Sequence, residues 1–234
     1  MSGATADPRA YHHGDLANTL MDRALAHITN DGVQKLSLRA LAREVGVSAT
    51  APYRHFPSKR CLLAALATRG FRQLERRVRA GAAQAGALAG HEESPGSDPS
   101  PALLETRLMA AGEAYVQFAV DEPTTYHLMF GSVIDDFSEY EMLQEAASEA
   151  FAAVREILDD MLRAGLGGGL DIHLLGGTIW GGVHGIASLV ISNKAVGDQM
   201  RGLDPQEPGP LQSINALRMD TGLALRALFA PLLR

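Results

Sequence analysis

Between Ser37 and Lys59 the chain reads SLRALAREVGVSATAPYRHFPSK, a run of hydroxyls, cations and rings set among regularly spaced apolar residues. Leu38, Leu41, Ala42, Val45, Val47 and Phe56 can pack a small core. That leaves Ser48, Thr50, Ala51, Tyr53, Arg54 and His55 for an outward face. Side chains at the start of a helix can reach base edges in a major groove, and the free N–H groups there favour phosphate. A second set lies far along the chain, where Trp180 and His184 stand one helical turn apart. Two readings fit this pair. One is structural, a buried ring beside an imidazole bonded to a backbone carbonyl. The other is the wall of a ligand pocket. Tyr115, Phe118, Tyr126, Met129 and Phe130 have helical spacing and are either plain core or further pocket wall. A pocket so lined favours a small apolar or aromatic ligand with few polar groups.

Catalytic chemistry finds no support. There is no Gly-x-Ser-x-Gly elbow, no phosphate loop ending in Gly-Lys-Ser/Thr and no His-Glu-x-x-His. The glycine run at residues 165–170 fails the dinucleotide pattern and follows no strand. Asp135-Asp136 and Asp159-Asp160 are sequence neighbours, which diverge on a helix and cannot act as a dyad. The single cysteine, Cys61, excludes an internal disulfide and any multi-cysteine zinc site. It is expected as an inert small residue in a helical core. His12 and His13 have no partner at ligand spacing. No catalytic residue, metal or cofactor is expected.

The net charge of −6 hides an asymmetry. Residues 1–80 hold 13 Lys and Arg against 6 Asp and Glu, while residues 81–234 hold 8 against 21. A basic front on an acidic body suits contact with a polyanion. Arg60, Arg69, Arg72, Arg76, Arg77 and Arg79 are expected as solvated faces of one helix. The first 30 residues lack the apolar core of a secretion signal, and a cytoplasmic location is expected.

Periodicity then supplies the scaffold. Leu16, Leu20, Ala24 and Ile28 recur at fours, and Asp31-Gly32 ends that helix. Ser37 and Ser48 can cap a second and a third, short helix with Gly46 between them, and Ser58 a fourth. Helical pattern follows over about 103–120, 122–130, 139–164, 171–192 and 213–228. No stretch alternates like a strand. The chain therefore reads all-α with about nine helices: a tail over 1–13 with no order, a helix-turn-helix domain over 14–70, and a helical bundle over 71–234. Linker-like loops are expected near 86–101 and 194–211. The uncharged run Ile172–Ile191 is long enough for a membrane, but its glycines and histidines favour a protein interface. Gly177, Gly181 and Gly185 recur at fours and suit close approach of a second copy, joined by Leu217, Leu225 and Leu228 of the last helix.

The capped Ser37-Leu38-Arg39-Ala40-Leu41-Ala42, Gly46-Val47-Ser48, Tyr53-Arg54-His55-Phe56 and Ser58-Lys59 together resemble the DNA-binding domain of the TetR family of bacterial regulators. The resemblance covers about residues 14–70. It implies that Thr50 and Ala51 lie on base edges, that Tyr53 and His55 touch the backbone or neighbouring bases, and that Ser37, Arg39 and Lys59 hold phosphates. Pro52 departs from the family, which usually has an aliphatic residue there, and implies a short or partly 3₁₀ recognition helix. Trp180-x-x-x-His184-Gly185 resembles the signature of a WHG-type C-terminal domain found in one branch of the family. Together these imply a homodimer that binds double-stranded DNA at a roughly palindromic site and answers to a small effector. A second reading is a helical module that docks a protein or carries a small molecule, without reading DNA.

Overall fold

In the computed structural model, which describes residues 13–88, 98–134, 136–199 and 210–234, the apolar row of the first helix, α1 (His13–Asp31), turns inward. Leu20, Ala24 and Ile28 are buried there against Leu36, Leu38, Leu41, Phe56, Leu62, Leu63 and Leu66. This small core holds α2 (Leu38–Val45) and the start of α3 (Lys59–Leu88) around α1. Gly46 closes α2 with φ +76°. Its N–H donates to Arg43 O at 3.2 Å, and that of Val47 to Ala42 O at 2.9 Å. This pair of bonds is a Schellman motif, which needs a left-handed residue at the position Gly46 fills.

The expected third helix is a correction. After Gly46, Ser48–Ala51 forms a turn and Pro52–Arg54 a single 3₁₀ turn. An α-helix from Ser48 would need residue 52 to donate to the Ser48 carbonyl, and proline has no N–H. That carbonyl takes the Ala51 N–H at 2.9 Å instead. Pro52 itself is buried.

The remaining helices are α4 (Pro101–Asp121), α5 (Pro123–Phe130), α6 (Glu141–Arg163), α7 (Ile172–Gln199), α8 (Pro210–Met219) and α9 (Thr221–Phe229). Among the described residues there are nine α-helices and no strand. The expected last helix is two, because the Asp220 carboxylate accepts the Leu223 N–H at 2.8 Å and caps a new start. The tail over 1–12 and the centres of both linker-like stretches, 89–97 and 200–209, lie outside the described residues.

A larger core lies among α3, α4, α6, α7 and α9, with Phe118 and Phe229 fully buried in it. Burying a phenylalanine contributes about 2–3 kcal/mol. Helix α3 runs unbroken through residue 70, where a domain boundary was expected. It feeds both cores: Leu62, Leu63 and Leu66 face the small one, and Ala64, Ala67 and Phe71 the large one. At Gly70 it crosses α5 so closely that a Cβ would lie 2.6 Å from Met129 Sδ and from Thr125 Cγ2. Ile172–Ser192 of α7 is long and apolar enough to cross a bilayer. Its Leu175, Ile179, Val183, Ala187 and Val190 are buried within the chain.

Candidate functional site

The turn after α2 presents its polar side chains outward. Ser37, Arg39, Ser48, Thr50, Tyr53 and Arg54 are exposed, Tyr53 at 41%, whereas Ala51, His55 and Lys59 are half-buried. Ser48 Oγ and Thr50 Oγ1 lie 3.3 Å apart, so one hydroxyl orients the other. Lys59 Nζ donates to Gln34 O at 3.3 Å, which ties the ammonium to the turn before α2 and leaves protons for another acceptor. Ser58 caps α3 by accepting the Cys61 N–H at 3.1 Å.

The basic surplus is distributed unevenly. Arg69 is paired with Asp22 at 2.5 Å and Arg77 with Asp121 at 2.5 Å. Arg79 bridges Glu75 at 2.5 Å and Glu156 at 2.9 Å. These three are structural pairs rather than the solvated charges expected of them. Arg39, Arg43 and Arg54 are exposed and make no ion pair among the described residues. The uncompensated cations nearest the helix-turn-helix are thus on α2 and the turn that follows it. Such groups can neutralise phosphates, while Thr50 and Tyr53 offer hydroxyls to base edges or backbone.

The second set of residues separates into two layers. A cavity of about 90 Å³ lies between α3, α4, α6 and α7, walled by Leu74, Leu108, Phe130, Ala150, Ile179 and Trp180 among others. Tyr115 is on this wall, but Phe118, Tyr126, Met129 and His184 are not. Phe118 and Met129 are fully buried packing, Met129 against Gly70. His184 Nδ1 stands 2.7 Å from Tyr126 Oη and 3.1 Å from Tyr115 Oη. Neither structural detail expected of the pair holds. The imidazole is bonded to two hydroxyls rather than to a carbonyl, and Trp180 is 47% exposed rather than buried. No short-range pattern marks the two tyrosines as its partners, since they come from other helices.

Burial pushes the Tyr115 hydroxyl far above the usual phenol range, with Tyr126 adding to it. Burial also holds His184 below the ordinary imidazole range. A neutral ring with its proton on Nε2 accepts a tyrosine hydroxyl at Nδ1. Because protonation is disfavoured in the folded chain, the unfolded chain binds more protons just below its own histidine value of about 6.5. Stability from His184 is therefore full above that value and falls as the pH drops through the lowered folded value. His184→Gln is expected to flatten the loss of melting temperature between about pH 7 and pH 5, a window above the carboxylate range. Thermal unfolding at stepped pH checks this; an unchanged slope contradicts it.

On the outside of α7, Gly177 and Gly181 are exposed and Gly185 half-buried, and a Cβ built on any of the three meets nothing within 4 Å. Leu174 and Leu189 are 56% and 46% exposed on the same side. Leu225 does not belong to an outer face. It is fully buried, with Cδ1 3.2 Å from a Cβ built on Gly112. Leu228 is half-buried and packs on Gly182, and Leu217 is half-buried. The outward apolar residues of α8 and α9 are Met219 and Leu223, at 86% and 62% exposure. Leu223 and Leu225 stand two residues apart on α9 and so point to nearly opposite sides of it, and the sequence alone does not say which side turns inward.

Comparison with known proteins agrees with this architecture. Residues 20–66 match the family described as bacterial regulatory proteins, tetR family, and residues 108–207 match a tetracyclin repressor-like C-terminal domain. A protein of unknown function from Rhodococcus sp. RHA1 is 28% identical, with 97% of this chain and 100% of that one covered at a TM-score of 0.68. A bacterial regulatory protein in the tetR family from Rhodococcus RHA1 is 18% identical over 92% and 97% of the two chains, at a TM-score of 0.56. The TetR family transcriptional regulator PfmR from Thermus thermophilus is 19% identical over 88% and 97%, at a TM-score of 0.52. No curated protein matches the sequence.

Proposed function

The chain belongs to the TetR family of bacterial regulatory proteins and is a DNA-binding transcriptional regulator, and from that premise we propose that it is an effector-responsive repressor acting as a homodimer. It would read a palindromic operator in the cytoplasm, without catalysis, and its C-terminal domain would be of the WHG type. The observation that carries this reading is the exposed set Arg39, Ser48, Thr50, Tyr53 and Arg54, whose cations make no ion pair among the described residues, beside a core of its own. Dimer symmetry would present two such sets to half-sites about one turn of B-DNA apart or somewhat more.

Helix α5 supports a link between effector and DNA. Its Leu128 is buried in the small core, and Thr124 accepts a hydrogen bond from Thr29 Oγ1 of α1 at 2.9 Å. The same helix carries Tyr126, bonded to His184, and Phe130, on the cavity wall. A ligand that displaces Phe130 would thus move a helix already joined to the DNA-binding end. It can shift DNA affinity only by its differential affinity for the two geometries.

The cavity wall carries no charged side chain, so the effector is neutral. The cavity is smaller than the apolar cavity of about 150 Å³ that takes up benzene, so a single ring fits only if the half-exposed Trp180 swings aside. Indole is expected to raise the melting temperature and to weaken binding to DNA from upstream of the chain's own gene, whereas benzoate does neither. Ala150→Met, which occupies the cavity, is expected to keep DNA binding and lose the response. Equal action by benzoate, or a response that survives in Ala150→Met, contradicts this reading.

A further inference from the structure

A separate cleft of about 510 Å³ lies where the two halves of the chain meet. One wall is α1, with Ala17, Asn18 and Met21, together with Phe56. The floor is α3, with Cys61, Ala64, Ala65 and Thr68, and the far wall is Tyr140–Leu143 at the start of α6. The lining near Phe56 is apolar. Toward α6 the same face of α3 carries Arg69, Arg72 and Arg76 at steps of three and four residues, so their guanidinium groups share one side of the helix.

The charge there is not balanced from within. Asp22 takes Arg69 at 2.5 Å. Arg72 and Arg76 make no hydrogen bond or ion pair among the described residues, although Glu141 stands on the opposite wall. Every other arginine of α3 has a partner within the chain. An apolar trough that ends at two adjacent, uncompensated guanidinium groups complements a molecule with an apolar tail and an anionic head. We propose that this cleft binds an amphipathic organic monoanion, its carboxylate on Arg72 and Arg76 and its chain laid along Ala64, Ala65, Met21 and Phe56. Such a ligand is distinct from the neutral effector of the central cavity, which offers no cation and is far too small for it. Its walls belong to both α1 and α6, so the bound molecule adds contact between the DNA-binding end and the body.

The chain's single thiol lies on the floor of this cleft and reports on it. Cys61 is half-buried, and Ser58 Oγ donates to its Sγ at 3.2 Å. Dodecanoate titrated into the full chain below its micelle concentration is expected to slow alkylation of Cys61 by iodoacetamide at least tenfold. Dodecyltrimethylammonium, with the same tail and the opposite charge, is expected to leave the rate unchanged. The double substitution Arg72→Gln, Arg76→Gln alters two side chains that hold nothing else among the described residues, and it is expected to weaken dodecanoate binding at least tenfold in calorimetry. Ala150→Met is expected to bind dodecanoate as tightly as the unaltered chain, which separates this site from the cavity. Unprotected Cys61, equal protection by the cationic amphiphile, undiminished binding by the arginine variant, or loss of binding in Ala150→Met each overturns the proposal.

Discussion

Gly181→Arg is expected to leave the chain folded, to make it monomeric, and to weaken operator binding by at least about 100-fold, the lower end of the gain from two linked contacts. The fold is spared because nothing lies within 4 Å of a Cβ at this position. The proposed homodimer is not spared. On the outer face of α7, Gly181 sits between Gly177 and Gly185, with Leu174 and Leu189 at the ends. A long cation there stands off an approaching helix and would bury an unpaired charge at the contact. A single copy can hold only one half-site. Sedimentation equilibrium and DNA titration read the two effects separately. A dimeric Gly181→Arg protein would move the interface elsewhere. Leu225→Arg is the contrasting control: its site is buried inside the chain, so it is expected to unfold the protein rather than split a dimer.

The second large effect concerns the phosphate anchors. Arg39→Ala with Lys59→Ala is expected to lower operator affinity by about 100-fold at moderate salt and to make the salt slope about 4 less steep, since each copy loses two cations. Thr50→Ala is expected to act differently, by narrowing the gap between operator and unrelated DNA while leaving the salt slope in place. Arg79→Ala is the internal control. Its guanidinium is engaged by Glu75 and Glu156, so its loss is expected to cost some stability and no DNA affinity. If the Arg39 and Lys59 variant binds as the unaltered chain does, the exposed face described above is not the reader.

Much of this is legible in the sequence. Apolar spacing placed α1, α2, α4, α5 and α6 to within a few residues, because each buries one stripe and ends at a glycine, a proline or a capping side chain; α7 starts where expected but runs on to Gln199, into the stretch expected as a loop. Pro52 was a legible warning that the segment after Gly46 is not a full α-helix, and the missing N–H bears that out. The helix count agrees for a partly accidental reason: the lost third helix is offset by the split at Asp220. Long-range pairing was not legible. Tyr115, Tyr126 and His184 come from three helices, and only packing brings their polar atoms within 3.1 Å of one ring nitrogen. The same holds for Arg69, Arg77 and Arg79, whose partners Asp22, Asp121 and Glu156 lie on other helices. Periodicity shows that a helix has an apolar side. It does not say whether that side meets the chain's own core or a second copy, and this is where the reading of Leu225 failed.

The most direct test of the account is the salt dependence of binding between the purified protein and DNA from upstream of its own gene. Arg39, Arg54 and Lys59 in two copies give a log–log slope of about −5, at about −0.9 for each phosphate neutralised. A steep, straight fall of that order is the expected result. A flat response, or no binding at any low salt, would contradict the claim that this face reads DNA.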